Sequence, residues 1–229
     1  MTEFDESRWL ARGVTVGEAG PKDGGPKDGR RIGDWRDYPP LALPTILDVA
    51  LRQIVEHGYD ATSVRTIAGE VGVTVPALYY HHQNKQAILV ALFDHAMSTV
   101  GAHVDAALAQ AGDDPVRRLS AMVEAIVLYM AHYRDLAFLD SERRSLTADN
   151  GRRYREHRDG IDVKLRAAIE DGCRADIFAT TVPDSARRAI LSMCQGVANW
   201  YHPDGPKTPG ETAAEYVRIA LAAVEYRAA

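Results

Sequence analysis

Between positions 67 and 85 the chain reads IAGEVGVTVPALYYHHQNK, and its conformational preferences reverse twice within that stretch. Gly72 sits where a helix must stop, and Thr74 and Pro76 sit where another must start. Val64, Ile67, Ala68 and Val71 recur at the spacing of one helical face. That spacing predicts a short helix from about Ser63, with Thr62 as its cap, ending at Gly72. A second short helix follows, capped by Thr74, with Pro76 in its first turn, where a missing N–H costs little. Two short helices joined by a tight turn form a helix-turn-helix, and this arrangement explains the mixture of side chains. Val73 and Leu78 serve the inner side, which must pack on the preceding helices. Thr74, Val75, Pro76 and Ala77 are small enough at the helix start to approach the base edges of a DNA major groove. Tyr79, Tyr80, His81 and Lys85 have the reach and the polar ends for phosphates. Thr62, Ser63 and Arg65, at and near the start of the first of the two helices, complete the expected DNA-facing set.

The rest of the chain is also helical. In PTILDVALRQIVEHG, Leu47, Ala50, Leu51, Ile54 and Val55 form one face of an amphipathic helix, with Pro44 and Gly58 at its ends. A longer helix is expected from Asn84 to about Gln110, broken by GDDP. Further helical patterns cover 116–133, 135–146, 150–175, 184–202 and 211–227. Nothing reads as a strand, so the fold class is all-α with about nine helices. Residues 1–40 differ. They carry the tandem repeat GPKDG-GPKDG and are rich in Gly, Pro and mixed charge, which reads as an irregular arm. Trp9, Trp35 and Tyr38 are candidates to dock parts of that arm. Its Arg30, Arg31 and Arg36 are candidates for a minor-groove contact. The expected organisation is an arm over 1–40, a DNA-binding domain over 41–88 and a helical domain over 89–229.

Several function classes are disfavoured. No uninterrupted apolar run nears the roughly 18 residues needed to span a bilayer, and the N-terminus lacks the apolar stretch of a signal peptide, so a cytoplasmic protein with no membrane partner is expected. The two cysteines, Cys173 and Cys194, fit neither a disulfide framework nor a metal site. There is no HExxH, no GxSxG and no phosphate-binding loop, so the expectation is no enzyme, no metal and no cofactor. The net charge of −5 does not advertise nucleic-acid binding, but the charge that matters is local. Within the candidate module, Arg52, Arg65 and Lys85 are offset by Asp48, Glu56 and Glu70, so a single copy binds DNA weakly.

The stretch YDATSVRTIAGEVGVTVPALYYHHQNKQAIL, Tyr59 to Leu89, resembles the DNA-binding domain of the TetR family of transcriptional regulators. Thr62, Ile67, Ala68, Gly72, Val73, Leu78, Tyr79, His81 and Lys85 carry the likeness. His82 stands where the family usually has Phe. The resemblance implies a homodimer on a palindromic double-stranded DNA operator, and a C-terminal domain that binds a small-molecule effector. It also implies a repressor by analogy. The rival readings are a helical protein-interaction module without DNA binding and, from another class, an enzyme.

For the C-terminal domain, Met122, Ile126, Tyr129, Tyr133, Phe138, Arg143, Met193 and Trp200 are the candidate effector-binding residues, with Met and aromatic side chains as the apolar lining. Arg143, Arg144, Arg152, Arg153, Arg155 and Arg158 read either as a solvated face paired with Glu142, Glu156 and Asp159, or as a site for an anionic group. The segment NWYHPDGPKTPGETA is similar to a stretch of TetR-type regulators of lipid and aromatic catabolism, which suggests a hydrophobic or acyl-CoA-like effector. Two stripes, Ile190/Cys194/Val197/Ala198/Tyr201 and Ala213/Tyr216/Val217/Ala220/Leu221/Val224, either make a dimer interface or close the monomer's own core. The expected mechanism is a two-state dimer. The effector shifts the helix after Asn84 and changes the spacing of recognition helices that must sit roughly 34 Å apart.

Overall fold

The computed structural model describes residues 34–227. Nine α-helices lie among them: α1 Thr45–His57, α2 Val64–Val71, α3 Val75–His81, α4 Lys85–Ala111, α5 Pro115–His132, α6 Arg134–Phe138, α7 Ala148–Arg174, α8 Pro183–Trp200 and α9 Pro209–Ala223. The described residues contain no β-strand, only an isolated bridge between Phe178 and Tyr226. The helices start where the sequence supplies caps. Asp114 accepts from the Val116 and Arg117 amides ahead of α5. Thr208 and Glu211 satisfy each other's backbone donors at α9, with Pro209 in the first turn. The pattern at 135–146 is not one helix. After α6 the chain tightens into a 3-10 helix, Leu139–Ser145. There the Ser141 hydroxyl donates to the Phe138 carbonyl and Arg143 donates to the Asp140 carbonyl, local bonds that compete with an α ladder.

Helix α5 is the centre of the larger domain. Ten of its 18 residues are buried, from Leu119 to Ala131, because α4, α7, α8 and α9 all pack against it. Helix α4 is long and apolar enough to cross a bilayer by length and composition, which the sequence reading did not anticipate. Its apolar residues, among them Ile88, Leu92, Phe93, Val100 and Val104, are buried within the protein, as in a core helix. The two stripes on the last helices also face inward: Ile190, Cys194, Val197, Tyr201, Ala213, Ala220 and Val224 are buried. They close the monomer's own core. The large apolar side chains left exposed on these helices are Trp200, stacked on Tyr216 with ring centroids 6.2 Å apart, and Ile219.

A segment without helix, residues 34–44, precedes α1 and is fastened to α4 and α5. Trp35 is 4% exposed, and its indole N–H donates to Gln110. The Arg36 guanidinium grips both carboxylate oxygens of Glu124, at 2.6 and 3.0 Å. The Tyr38 ring stacks between His103 (centroids 4.1 Å apart, 9° between planes) and His132 (4.8 Å, 3°), and its hydroxyl donates to the Ala125 carbonyl. Gln110 lies 25 residues along α4 from Lys85, about 37 Å at the rise of an α-helix. Arg36 is therefore held at the end of α4 far from the helix-turn-helix and does not reach a minor groove beside it. Arg30 and Arg31, like Trp9, lie outside the described residues.

His103 Nδ1 is 2.7 Å from the Trp35 carbonyl, which can only accept, so this nitrogen carries the proton. Burial holds the His103 and His132 imidazoles below their ordinary pKa; His103 adds to the effect on His132, and the Trp35 bond partly opposes it on His103. A depressed folded-state pKa means that stability is complete above the unfolded value near 6.5 and is lost as pH falls through it towards the folded value. Thermal unfolding should show a falling midpoint between about pH 7 and pH 5, and His103→Gln should shrink that fall. A midpoint that holds or rises on acidification contradicts this assignment.

Candidate nucleic-acid interface

The α2–α3 pair is set by local chemistry. Ser63, not Thr62, caps α2: its hydroxyl accepts from the Thr66 amide at 3.0 Å. Gly72 ends α2 in the left-handed region (φ 81°, ψ 29°), with its N–H bonded back to the Ala68 carbonyl. Thr74 then caps α3 by accepting from the Ala77 amide, and Pro76 lies in the first turn. Leu78 is wholly buried and fixes α3 against the rest of the module, together with buried Ile67 and Ala68.

The opposite side of this pair is open. Tyr80 is 83% exposed and Tyr79 44%. Ser63, Arg65, Thr74, Pro76, Ala77 and His81 are also exposed, and Val75 is half-buried. Arg65 makes no ion pair among the described residues, whereas Arg52 is taken by Glu70 at 3.0 Å and by Asp48. Thr62 does not belong to this surface. It is 3% exposed, and its hydroxyl donates to the Gly58 carbonyl at 2.9 Å. Lys85 sits at the margin, with its ammonium 4.0 Å above the Tyr59 ring and donating to the Asp60 carbonyl, and partial desolvation lowers its pKa. His82 is half-buried at the end of α3, and burial, then the neighbouring His81, depresses its pKa. Asp60 adds a further carboxylate to the module, so the open face gains its cationic character locally, from Arg65 and Lys85.

Gln86 is a residue that sequence reasoning missed. Its amide N–H₂ donates to the Tyr59 hydroxyl and to the Ser145 carbonyl, and its oxygen accepts from the Thr147 amide. It joins the α1–α2 connection to the segment before α7. Only long-range contacts reveal it.

A cavity of about 660 Å³ lies in the larger domain, walled by residues of α4 to α8. Ile126, Tyr129, Phe138 and Arg143 line it, as do Phe93, Met97, Val100 and Met130. Met122, Tyr133, Met193 and Trp200 do not. Met122 is core, Tyr133 donates to the Pro39 carbonyl, Met193 packs partly buried against the core, and Trp200 is on the outer surface. Because apolar residues of α5 are buried on several of its faces, its periodicity does not reveal which face borders a void.

The polar part of the wall centres on Asp140, which accepts from Arg143 at 2.9 Å and from the Tyr154 hydroxyl at 2.6 Å, with Arg158 at 3.9 Å. Burial, then the bond to Asp140, pushes the Tyr154 hydroxyl pKa well up. Arg187 pairs with Asp162 and Asp184, and exposed Arg155 and Arg188 stand at the rim. The lining holds five arginines against Asp140, Asp159 and Asp162. The partners expected for the arginine-rich stretch are replaced by others: Asp140 for Arg143 and Arg158, Asp149 for Arg152, and Asp94 for Arg153.

Comparison with known proteins agrees with this geometry. Residues 46–92 match the family model for bacterial regulatory proteins of the tetR family, and residues 112–224 match the tetracyclin repressor-like C-terminal domain. The transcriptional repressor KstR2 of Rhodococcus jostii RHA1 is 27% identical, over 77% of this chain and 87% of its own length. The TetR-family regulator PfmR from Thermus thermophilus superposes with a TM-score of 0.71 at 30% identity, over 77% of this chain and 97% of PfmR. AibR, solved in complex with isovaleryl coenzyme A and operator DNA, superposes at 0.68 with 25% identity, over 76% and 95%.

Only glycine enters the left-handed region at no steric cost. Gly72→Ala should therefore destabilise the protein by about 1–2 kcal/mol in urea unfolding, although no atom crowds the added methyl. Unchanged stability would mean that the turn does not require this backbone.

Proposed function

This chain belongs to the TetR family of bacterial transcriptional regulators, and from that premise we propose that it is a homodimeric repressor, released from a palindromic operator by an apolar, anionic effector. The observation that carries the DNA contact is the exposed face of α2 and α3. Thr74, Val75, Pro76 and Ala77 enter the major groove and meet base edges. Tyr79, Tyr80 and His81 give hydrogen bonds to phosphates, Ser63 stands beside the backbone at the α2 cap, and Arg65 and Lys85 supply the charge. It works in the cytoplasm, where its DNA is.

One module with two available cations grips DNA weakly, so two are needed. The Trp200–Tyr216 stack and Ile219 present an apolar outer face on α8 and α9, suited to pairing with the same face of a second copy about a two-fold axis. Repression rests on the likeness to KstR2, a repressor by name. The effector reading rests on the cavity, whose apolar inner wall suits hydrocarbon and whose arginine rim suits a carboxylate or phosphates. The isovaleryl coenzyme A complex of AibR supports the acyl-CoA class. Effector-bound protein must differ from the DNA-bound state in the placement of α4, which runs from the module into the cavity wall.

The test is an anisotropy titration on DNA from upstream of the protein's own gene, at several salt concentrations. Arg65 and Lys85 from two copies predict a log–log salt slope of about −4, and Arg65→Ala should flatten it by about 2. Tyr80→Ala should weaken binding with little change in slope. Added short-chain acyl-CoA should release the DNA. No shift at low salt, or an Arg65→Ala slope equal to wild type, contradicts the proposal.

A further inference from the structure

We propose that residues 34–44 are a stiff strap through which the larger domain sets the orientation of the DNA-binding module, with Trp35, Arg36 and Tyr38 as positioning residues. The inference rests on the DNA-binding reading above. The strap lies outside both segments that match the family models.

One end is fixed by several independent contacts. The Trp35 indole is buried beside α4, the Arg36–Glu124 pair is bidentate, and the Tyr38 ring is clamped between two imidazoles. The other end is α1 itself, the first helix of the module. What joins them is PPLALP, Pro39 to Pro44. Three prolines in six residues hold φ near −65° and favour an extended polyproline conformation, at about 3.1 Å per residue. Pro44, at φ −52° and ψ 141°, has that conformation, and the Pro39 carbonyl is held by the Tyr133 hydroxyl at 2.7 Å. Leu41 and Leu43 are partly buried against the core. A Gly/Ser linker of this length transmits no orientation, whereas a pinned proline rod does.

The strap also meets the helix that borders the cavity. Glu124, Ala125 and His132 of α5 hold the strap, while Ile126, Tyr129 and Met130 of the same helix line the cavity. A displacement of α5 caused by a filled cavity therefore reaches α1 through the strap, in addition to reaching α3 through α4. A strap that positions the module governs the match to a palindrome, because that match depends on how the two modules are aimed. It does not govern the contact of one module with DNA of any sequence.

The test uses the full-length protein, its upstream palindromic fragment and an unrelated fragment of equal length, read by anisotropy alongside thermal unfolding. Pro39→Gly/Pro40→Gly softens the rod and leaves its anchors. Arg36→Ala/Tyr38→Ala releases it. Both are expected to weaken binding to the palindrome about tenfold while binding to the unrelated fragment stays as in wild type. Tyr38→Phe, which keeps the stacked ring, should retain full preference. Equal loss on both fragments with a lowered melting temperature would show a stabilising role only and overturn the proposal. Unchanged preference in both double variants would overturn it too. A wild-type protein that does not distinguish the two fragments would remove the DNA-binding reading and the strap's role with it.

Discussion

A helix of seven residues does not persist in water on its own, because so few hydrogen bonds cannot offset the cost of nucleation. Helix α3 exists because Thr74 caps it and because Leu78 is wholly buried in the core of the module. Gly72 makes that burial possible. Its left-handed backbone turns the chain within two residues, so that the apolar side of α3 folds onto the module while Tyr79 and Tyr80 are left outside. The exposure of the α2–α3 face depends on this one constraint.

Helix α5 plays the corresponding part in the larger domain. It is packed by four other helices, borders the cavity on one face and holds the strap on another. Interiors at protein density do not absorb a displaced helix by local give. Of the helices that wall the cavity, α4 runs on from the module and α5 holds the strap, so these two connect the cavity to the module.

The module was legible in the sequence because its signals are local. Caps, a turn glycine and a four-residue apolar stripe all act within one or two helical turns. The error at Thr62 shows the limit. Adjacent Thr and Ser are equal candidates for a cap, and only the register of α2 assigns the role to Ser63 and turns Thr62 inward to the Gly58 carbonyl. The cavity was half legible. Ile126 and Tyr129 line it, but Met122 and Tyr133, on the same apolar stretch, do not, since periodicity marks burial and not the edge of a void. Pro39 and Pro40 were plain to read as irregular chain, whereas Pro44 read as the first turn of α1 and instead precedes that helix in an extended conformation. The strap's anchors, Gln110, Glu124 and His132, lie far along the sequence, and no local pattern points to them. In the arginine-rich stretch Arg153 has a distant partner, Asp94; Arg143 and Arg152 pair at i,i+3 with Asp140 and Asp149, so there the charges were legible but not which neighbour each arginine takes.

The proposed DNA contact is confined to the α2–α3 face, with none elsewhere on the described surface. Hydrogen–deuterium exchange, measured on the protein alone and on its upstream DNA at low salt, tests this directly. Slowed exchange confined to residues 63–66 and 73–85, with α8 and α9 unchanged, is the predicted result. Protection that appears on other helices and spares residues 73–81 would contradict the account.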